Sequence, residues 1–150
     1  MRVVVQRVSK ASVEVDEKVI GAIQQGLLIL LGIEEEDNDE DAQWLCAKIS
    51  QMRIFGDHED KMNLDVKQVS GDILVVSQFT LHASVKKGNR PSFIKAARPE
   101  RAIPLYEFFK STLSKEMNKD VQCGEFGAMM QVKLINDGPV TILIDSKNRE

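Results

Sequence analysis

Histidine and cysteine are scarce in this chain of 150 residues, with two of each. The cysteines, Cys46 and Cys123, show no CxxC spacing and sit in no cluster suited to zinc or an iron–sulfur centre, so they read as buried free thiols. The histidines, His58 and His82, leave few bases for a nucleophile triad. Long apolar runs are also missing. No stretch approaches the ~18 uninterrupted apolar residues of a membrane span, and the opening MRVVVQRVSK has neither an h-region nor a small-residue cleavage site. The cytoplasm is therefore the expected compartment. GxGxxG, Walker A, HExxH and EF-hand patterns are absent, which disfavours nucleotide phosphate chemistry and familiar metal hydrolysis. No metal or organic cofactor is expected.

What is present suits one compact domain over residues 1–150, since 43% of the residues are hydrophobic. The net charge of −3 conceals an uneven distribution: seven acids crowd Glu34–Asp41, and none lies between Ile73 and Pro99. That second window holds Lys86, Lys87, Arg90, Lys95 and Arg98. A local basic stretch can bind an anionic partner whatever the net charge, although a solvated loop has the same composition.

The periodicity opens with strands at Met1–Val8, Ser12–Val15, Val19–Ile23 and Leu27–Ile33, read as an antiparallel meander. Ala42, Leu45, Cys46, Ile49 and Met52 recur at helical spacing from about Asn38 to Phe55, with acids in the first turn that suit the helix dipole. Gly71-Asp72 precedes the β-branched run Ile73–Val76, a buried strand leading into Ser77-Gln78-Phe79-Thr80-Leu81. A second helix is predicted from Pro99, with Ala102, Leu105, Tyr106, Phe109 and Leu113 on one face and Pro104 tolerable within the first turn. Strands return at Val121–Phe126, Met129–Ile135 and Val140–Ile144.

Two segments carry candidate chemistry. Thr80 and His82 would share one side of an extended strand, so a nucleophile–base pair is conceivable there. Asn136-Asp137-Gly138-Pro139 reads as a turn between strands, or as a cis Gly–Pro bond whose carbonyls make a rigid wall free of side chains. His58, within Gly56–Asp60, reads as a loop residue.

The chain resembles the D-aminoacyl-tRNA deacylase family along nearly its whole length. The resemblance is carried by Val5–Val8 with Ala11–Val13, Gly26–Leu28 with Leu31-Gly32, Arg53–Phe55, Lys61–Leu64, Ser77–Leu81, Arg90–Phe93 and Asn136–Thr141. It implies a β-rich α+β fold with mixed, barrel-like sheets and two main helices. It also implies a homodimer with active sites at the subunit interface and a role in translation proofreading on the aminoacylated 3′ end of tRNA.

Carried onto this sequence, the resemblance makes Gly138 and Pro139 a chiral filter that excludes L side chains, with Arg7 holding the motif in place. A surface arginine paired with an acid such as Glu14 is the plain alternative for Arg7. Ser77, Gln78, Phe79 and Thr80 would line the other side, with the Phe79 and Thr80 N–H groups near the scissile carbonyl. Phe126 would set backbone against the substrate's amino group, or serve simply as a core aromatic. The terminal ribose 2′-OH would help activate water, and glycyl-tRNA, lacking a side chain to exclude, would be cleaved to some degree. Lys86, Lys87, Arg90 and Lys95 are candidates for acceptor-stem phosphates. Two rivals stay open at this point: an esterase using Thr80 as nucleophile, and a non-catalytic RNA-binding dimer.

Overall fold

The computed structural model describes residues 1–150. The elements are β1 (Arg2–Val15), β2 (Lys18–Ile23), β3 (Gly26–Gly32), α1 (Asp39–Ser50), β4 (Phe55–Gly56), β5 (Met62–Leu64), β6 (Asp72–Ser77), α2 (Pro99–Met117), β7 (Gln122–Cys123) and β8 (Gln131–Asp145). A 3-10 turn, Phe79–His82, lies between β6 and α2.

β1 is the spine of the sheet. Its second half pairs antiparallel with β2 and its first half with β3, both along one edge, while β8 runs antiparallel along the other edge for nearly the whole length. The expected meander is thus corrected: β3 returns to β1 instead of pairing with β2. β3 continues in parallel to β6, and β6 to β7. The sheet then curls almost closed, for a Cβ on Gly21 of β2 would stand 2.9 Å from the Cys123 carbonyl oxygen of β7.

This curling explains why β3 and β6 are apolar without alternation, since strands covered on both faces need no polar side. Leu27, Ile29, Leu31, Ile73 and Val75 face the two helices, where Leu45, Ile49, Tyr106 and Phe109 complete the main core. Leu28, Leu74 and Val76 point the other way and fill the barrel with Val8, Val13 and Ile23. Burying each such aliphatic side chain contributes roughly 1.5–3 kcal/mol.

Asn38 caps α1 reciprocally with Asp41: its side chain accepts from the Asp41 N–H, and the Asp41 carboxylate accepts from the Asn38 N–H. The helix stops at Ser50, five residues before the predicted end at Phe55. Tertiary pairing overrides the helical period there. Phe55 pairs with Leu64, and the Arg53 guanidinium donates to the Asn63 carbonyl at 2.7 Å. α2 begins with Pro99 as predicted, but Pro104 is its sixth residue and lies beyond the first turn. It is tolerated because it and Glu100, whose carbonyl loses a donor, are both exposed to solvent.

The largest departure from expectation is in the C-terminal third. β7 is only two residues long, and the predicted strands on either side of Asn136–Pro139 are one continuous element pairing with β1. The plain turn reading is therefore wrong. Cys46 is buried and Cys123 only half-buried, which corrects the expectation for the second thiol. No helix is long and apolar enough to cross a membrane.

Candidate functional site

Ser77 ends β6, and the Gln78 N–H prolongs the ladder by donating to the Leu31 carbonyl at 2.8 Å. The chain then tightens into the 3-10 turn. The first N–H of that turn to close a bond is Leu81, donating to Gln78 O at 3.3 Å, so the N–H groups of Phe79 and Thr80 are left without a protein acceptor. Gln78 Nε2 donates to Thr80 Oγ1. Beside this segment lies a cavity of about 330 Å³, walled by Ser77, Gln78 and Phe79 on one side and by Phe126, Met129 and Met130 on the other. Its lining is largely apolar, with Ser77 and Gln78 the polar side chains among its walls. The Phe79 ring is exposed and meets Phe93 edge to face at 5.1 Å. Phe126 in turn contacts Tyr106 at 5.7 Å between centroids.

Thr80 and His82 do not form the pair conceived for an extended strand. The 3-10 turn replaces that strand, and Thr80 Oγ1 is engaged by Gln78 while His82 is buried with Nδ1 facing Glu34. Cys46 offers no nucleophile either. Burial, helped by the Glu116 charge, pushes its thiol far up, and Sγ points at the Phe109 carbonyl. Burial likewise raises the Tyr106 phenol, which donates to the Val75 carbonyl at 3.2 Å.

A second cluster forms around Arg7. Gln6 pairs with Thr141 and Val8 with Asn136, so two steps along β1 answer five along β8, and Asp137–Val140 are extruded from the ladder. Asn136 closes the base of this excursion, its Oδ1 accepting from the Val140 N–H at 2.9 Å and its Nδ2 donating to Thr141 Oγ1 at 2.8 Å. Arg7 sits opposite the gap. It donates through Nε to the Asp137 carbonyl at 3.0 Å and through Nη1 to the Ile54 carbonyl at 2.6 Å. Arg7 also pairs with an acid, its Nε lying 3.5 Å from Asp137 Oδ2, while Glu14 pairs with Lys133; the acid partner of the plain alternative is therefore present, but it is Asp137 of the extruded segment and not Glu14. The Gly138–Pro139 peptide is cis, and Gly138 has φ of +134°, a region that disfavours L side chains. A Cβ there would come within 2.8 Å of Val140 Cγ2 and 3.0 Å of Arg7 Nη2. Both residues of the dipeptide are exposed.

Within one chain these clusters stay apart. Ser77, Gln78, Phe79 and Phe126 share the cavity, whereas Arg7, Gly138 and Pro139 are not among its walls. Lys86, Lys87, Arg90 and Lys95 lie exposed on the loop after the 3-10 turn, and none has an acidic partner within ion-pair distance. That loop is pinched by reciprocal bonds between Ser84 and Ser92 and tied down where the Ala97 N–H meets the Ile33 carbonyl at 2.9 Å. Sequence reasoning missed the parts played by Asn136, Thr141, Met129 and Met130. An amide and a hydroxyl bracketing Asp-Gly-Pro were a legible signal for the first two. Nothing local marked the methionines.

Fold and site define a class before any relative is considered: a β-rich α+β protein with an apolar cleft walled in part by Phe79, a neighbouring turn with two free backbone donors, and no nucleophile–base pair; Thr80 itself is not among the cleft's walls. The chain belongs to the D-Tyr-tRNA(Tyr) deacylase family, whose profile matches residues 4–145. It is 64% identical over 150 residues to a D-aminoacyl-tRNA deacylase of Akkermansia muciniphila, and 63% identical over 150 residues to one of Flavobacterium psychrophilum; each comparison covers both chains fully. Among solved structures, one described as c-Myc DNA Unwinding Element Binding Protein superposes with a TM-score of 0.90 at 42% identity, covering 97% of this chain and 98% of that one. A probable eukaryotic D-amino acid tRNA deacylase shares the fold, with a TM-score of 0.82 at 18% identity over 95% and 97% of the two chains.

Proposed function

We infer that the protein is a hydrolase that cleaves the ester joining a D-amino acid to the 3′ end of tRNA. The single observation carrying this reading is family membership over the whole chain at above 60% identity to deacylases. The local chemistry supports it. An aminoacyl ester is already activated, so orientation and two N–H donors facing the developing oxyanion go far toward its hydrolysis. Phe79 and Thr80 supply those donors, and the substrate's ribose 2′-OH assists the attacking water.

Chirality is read by Gly138 and Pro139. Their backbone, braced by Arg7, presents carbonyls and no side chain, so an L substituent clashes while a D substituent points away and glycine passes. Because these residues do not wall the cavity of their own chain, they act in that of a second copy. The protein is thus a homodimer, with the outer edge of β8 available for contact. Lys86, Lys87, Arg90 and Lys95 hold the acceptor-stem phosphates, and Phe126 sets backbone beside the substrate's amino group. The reading places the protein, as one catalytic domain, in the cytoplasm beside the translation machinery.

Multiple-turnover release of tyrosine from D-tyrosyl-tRNA tests the reaction. Replacing the terminal adenosine by its 2′-deoxy form should slow it, while Thr80→Ala should keep most of the activity. Loss of activity in Thr80→Ala with full activity on the deoxy substrate would restore the nucleophile mechanism. Resistance of glycyl-tRNA(Ala) would count against the wall. A second reading, DNA binding, is favoured only by the description of the 42%-identical relative; binding of the DNA element named there, without deacylation, would support it instead.

A further inference from the structure

The only buried side-chain polar atoms without a hydrogen-bond partner in the protein are the two ring nitrogens of His82. The ring is almost wholly inaccessible, with 1% of the side chain exposed, and Nδ1 lies 2.8 Å from Glu34 Oε1, at ion-pair distance but outside hydrogen-bond geometry. A buried imidazole without a hydrogen-bond partner is costly, and the Glu34 carboxylate is the charged group placed against it.

The neighbourhood is built around this ring. A Cβ on Gly32 would stand 3.0 Å from His82 Cδ2 and Nε2 and 3.0 Å from the Gln78 carbonyl, so a side chain at residue 32 would require the ring or the turn to give way by a few tenths of an ångström. Glu34, two residues further on, is itself fixed. Its N–H donates to Asp37 Oδ2 at 2.7 Å, and Asp37 Oδ1 binds the Met1 ammonium. From β1, Arg2 donates to the Leu81 carbonyl at 2.8 Å and is paired with Asp145. The charged groups facing the turn are therefore Glu34 from the end of β3 and Arg2 from β1.

We propose that His82 is a positioning residue for the deacylation site, clasping the 3-10 turn to the end of β3 through Glu34 so that the Phe79 and Thr80 N–H groups are held at a fixed place. The turn is then fastened at both ends, by Gln78 to Leu31 at one and by His82 and Arg2 at the other. The role rests on the deacylase reading above. It differs from simple packing in requiring the polar pair.

The test compares full-length wild type with His82→Leu, His82→Asn, Glu34→Ala and the double variant His82→Leu/Glu34→Ala. D-tyrosyl-tRNA deacylation and amide hydrogen exchange over residues 78–83 are both followed. Leucine fills the space without pairing, while asparagine keeps a donor near the position of Nδ1. His82→Leu and Glu34→Ala should each lose on the order of ten- to a hundredfold in kcat, the cost expected of a misplacement near 1 Å. KM should stay within about twofold. His82→Asn should recover most of the loss, the double variant should be no worse than its worse parent, and exchange at Leu81 and Ala83, whose N–H groups are bonded within the turn, should accelerate in the slow variants. Wild-type kcat and exchange in His82→Leu, or multiplicative losses in the double variant, overturn the clasp. If wild type fails to cleave, the deacylase reading falls, and the exchange comparison alone decides whether His82 fastens the turn.

Discussion

Arg7 offers the most direct physical handle on the extruded Asp137–Val140 segment. Its side chain is only 14% exposed and donates to two backbone carbonyls from different parts of the chain, Asp137 and Ile54. Hydrogen bonds from a charged group contribute about 1.5–3 kcal/mol each. The Asp137 carbonyl belongs to an exposed residue that water can reach, so the lower end applies there, and Arg7→Met should cost at least about 3 kcal/mol in all. With a urea dependence of about 2 kcal/mol per molar, the unfolding midpoint should fall by at least about 1.5 M at fixed protein concentration. Arg7→Lys separates charge from shape. A single ammonium lacks the planar fork that spans both carbonyls, so lysine should recover less than half of the loss. If the segment reads chirality, both variants should also cleave L-tyrosyl-tRNA measurably better relative to the D ester. A midpoint within about 0.3 M of wild type, with unchanged D over L preference, would refute both the bracing and the role drawn from it.

Gly138→Ala should be poorly tolerated, because φ of +134° and the 2.8 Å approach to Val140 leave no room for a methyl group; a wild-type melting curve and wild-type stereoselectivity would contradict this. Neutralising Lys86, Lys87, Arg90 and Lys95 to glutamine should weaken tRNA binding and lower the slope of log K against log salt by about 0.7–0.9 for each phosphate that is no longer neutralised; an unchanged slope removes that lysine or arginine from the interface. Stability should decline at acid pH. Burial pushes the Asp41 and Asp145 carboxyls up, but hydrogen bonds outweigh it and leave both below the ordinary value of 3.8: Asp41 accepts chiefly from Lys147, and Asp145 from the Lys147 N–H and from Arg2. A carboxyl lowered on folding adds stability above its unfolded value and loses it as pH falls through the folded one. The decline should therefore begin near pH 4 and be shallower in Asp41→Asn and Asp145→Asn, and urea titrations across pH 2–6 would show it.

Both helices and most strands were legible because their periods are strong. Asn38 and Pro99 mark helix starts by local chemistry alone, and the unbroken apolar runs of β3 and β6 announce burial on both faces. What escaped the reading depended on distant partners. The end of α1 is decided by Asn63 and Leu64 capturing Arg53 and Phe55, and a helical pattern continues past the point where that capture wins. Asn136–Pro139 has every mark of a hairpin turn, yet the flanking segments both pair with β1, which no local rule reveals. At the candidate site, the polar exit from β6 was visible in Ser77–Leu81. The coiling of Phe79–His82 and the burial of His82 against Gly32 were not, since they require two segments about fifty positions apart to meet.

The most direct measurement is paired hydrolysis of D-tyrosyl-tRNA and L-tyrosyl-tRNA by the purified protein in the presence of a chelator. Rapid cleavage of the D ester, with the L ester left intact, is the predicted result. Equal cleavage of both would contradict the Gly138–Pro139 filter, and cleavage of neither would contradict the deacylase reading itself.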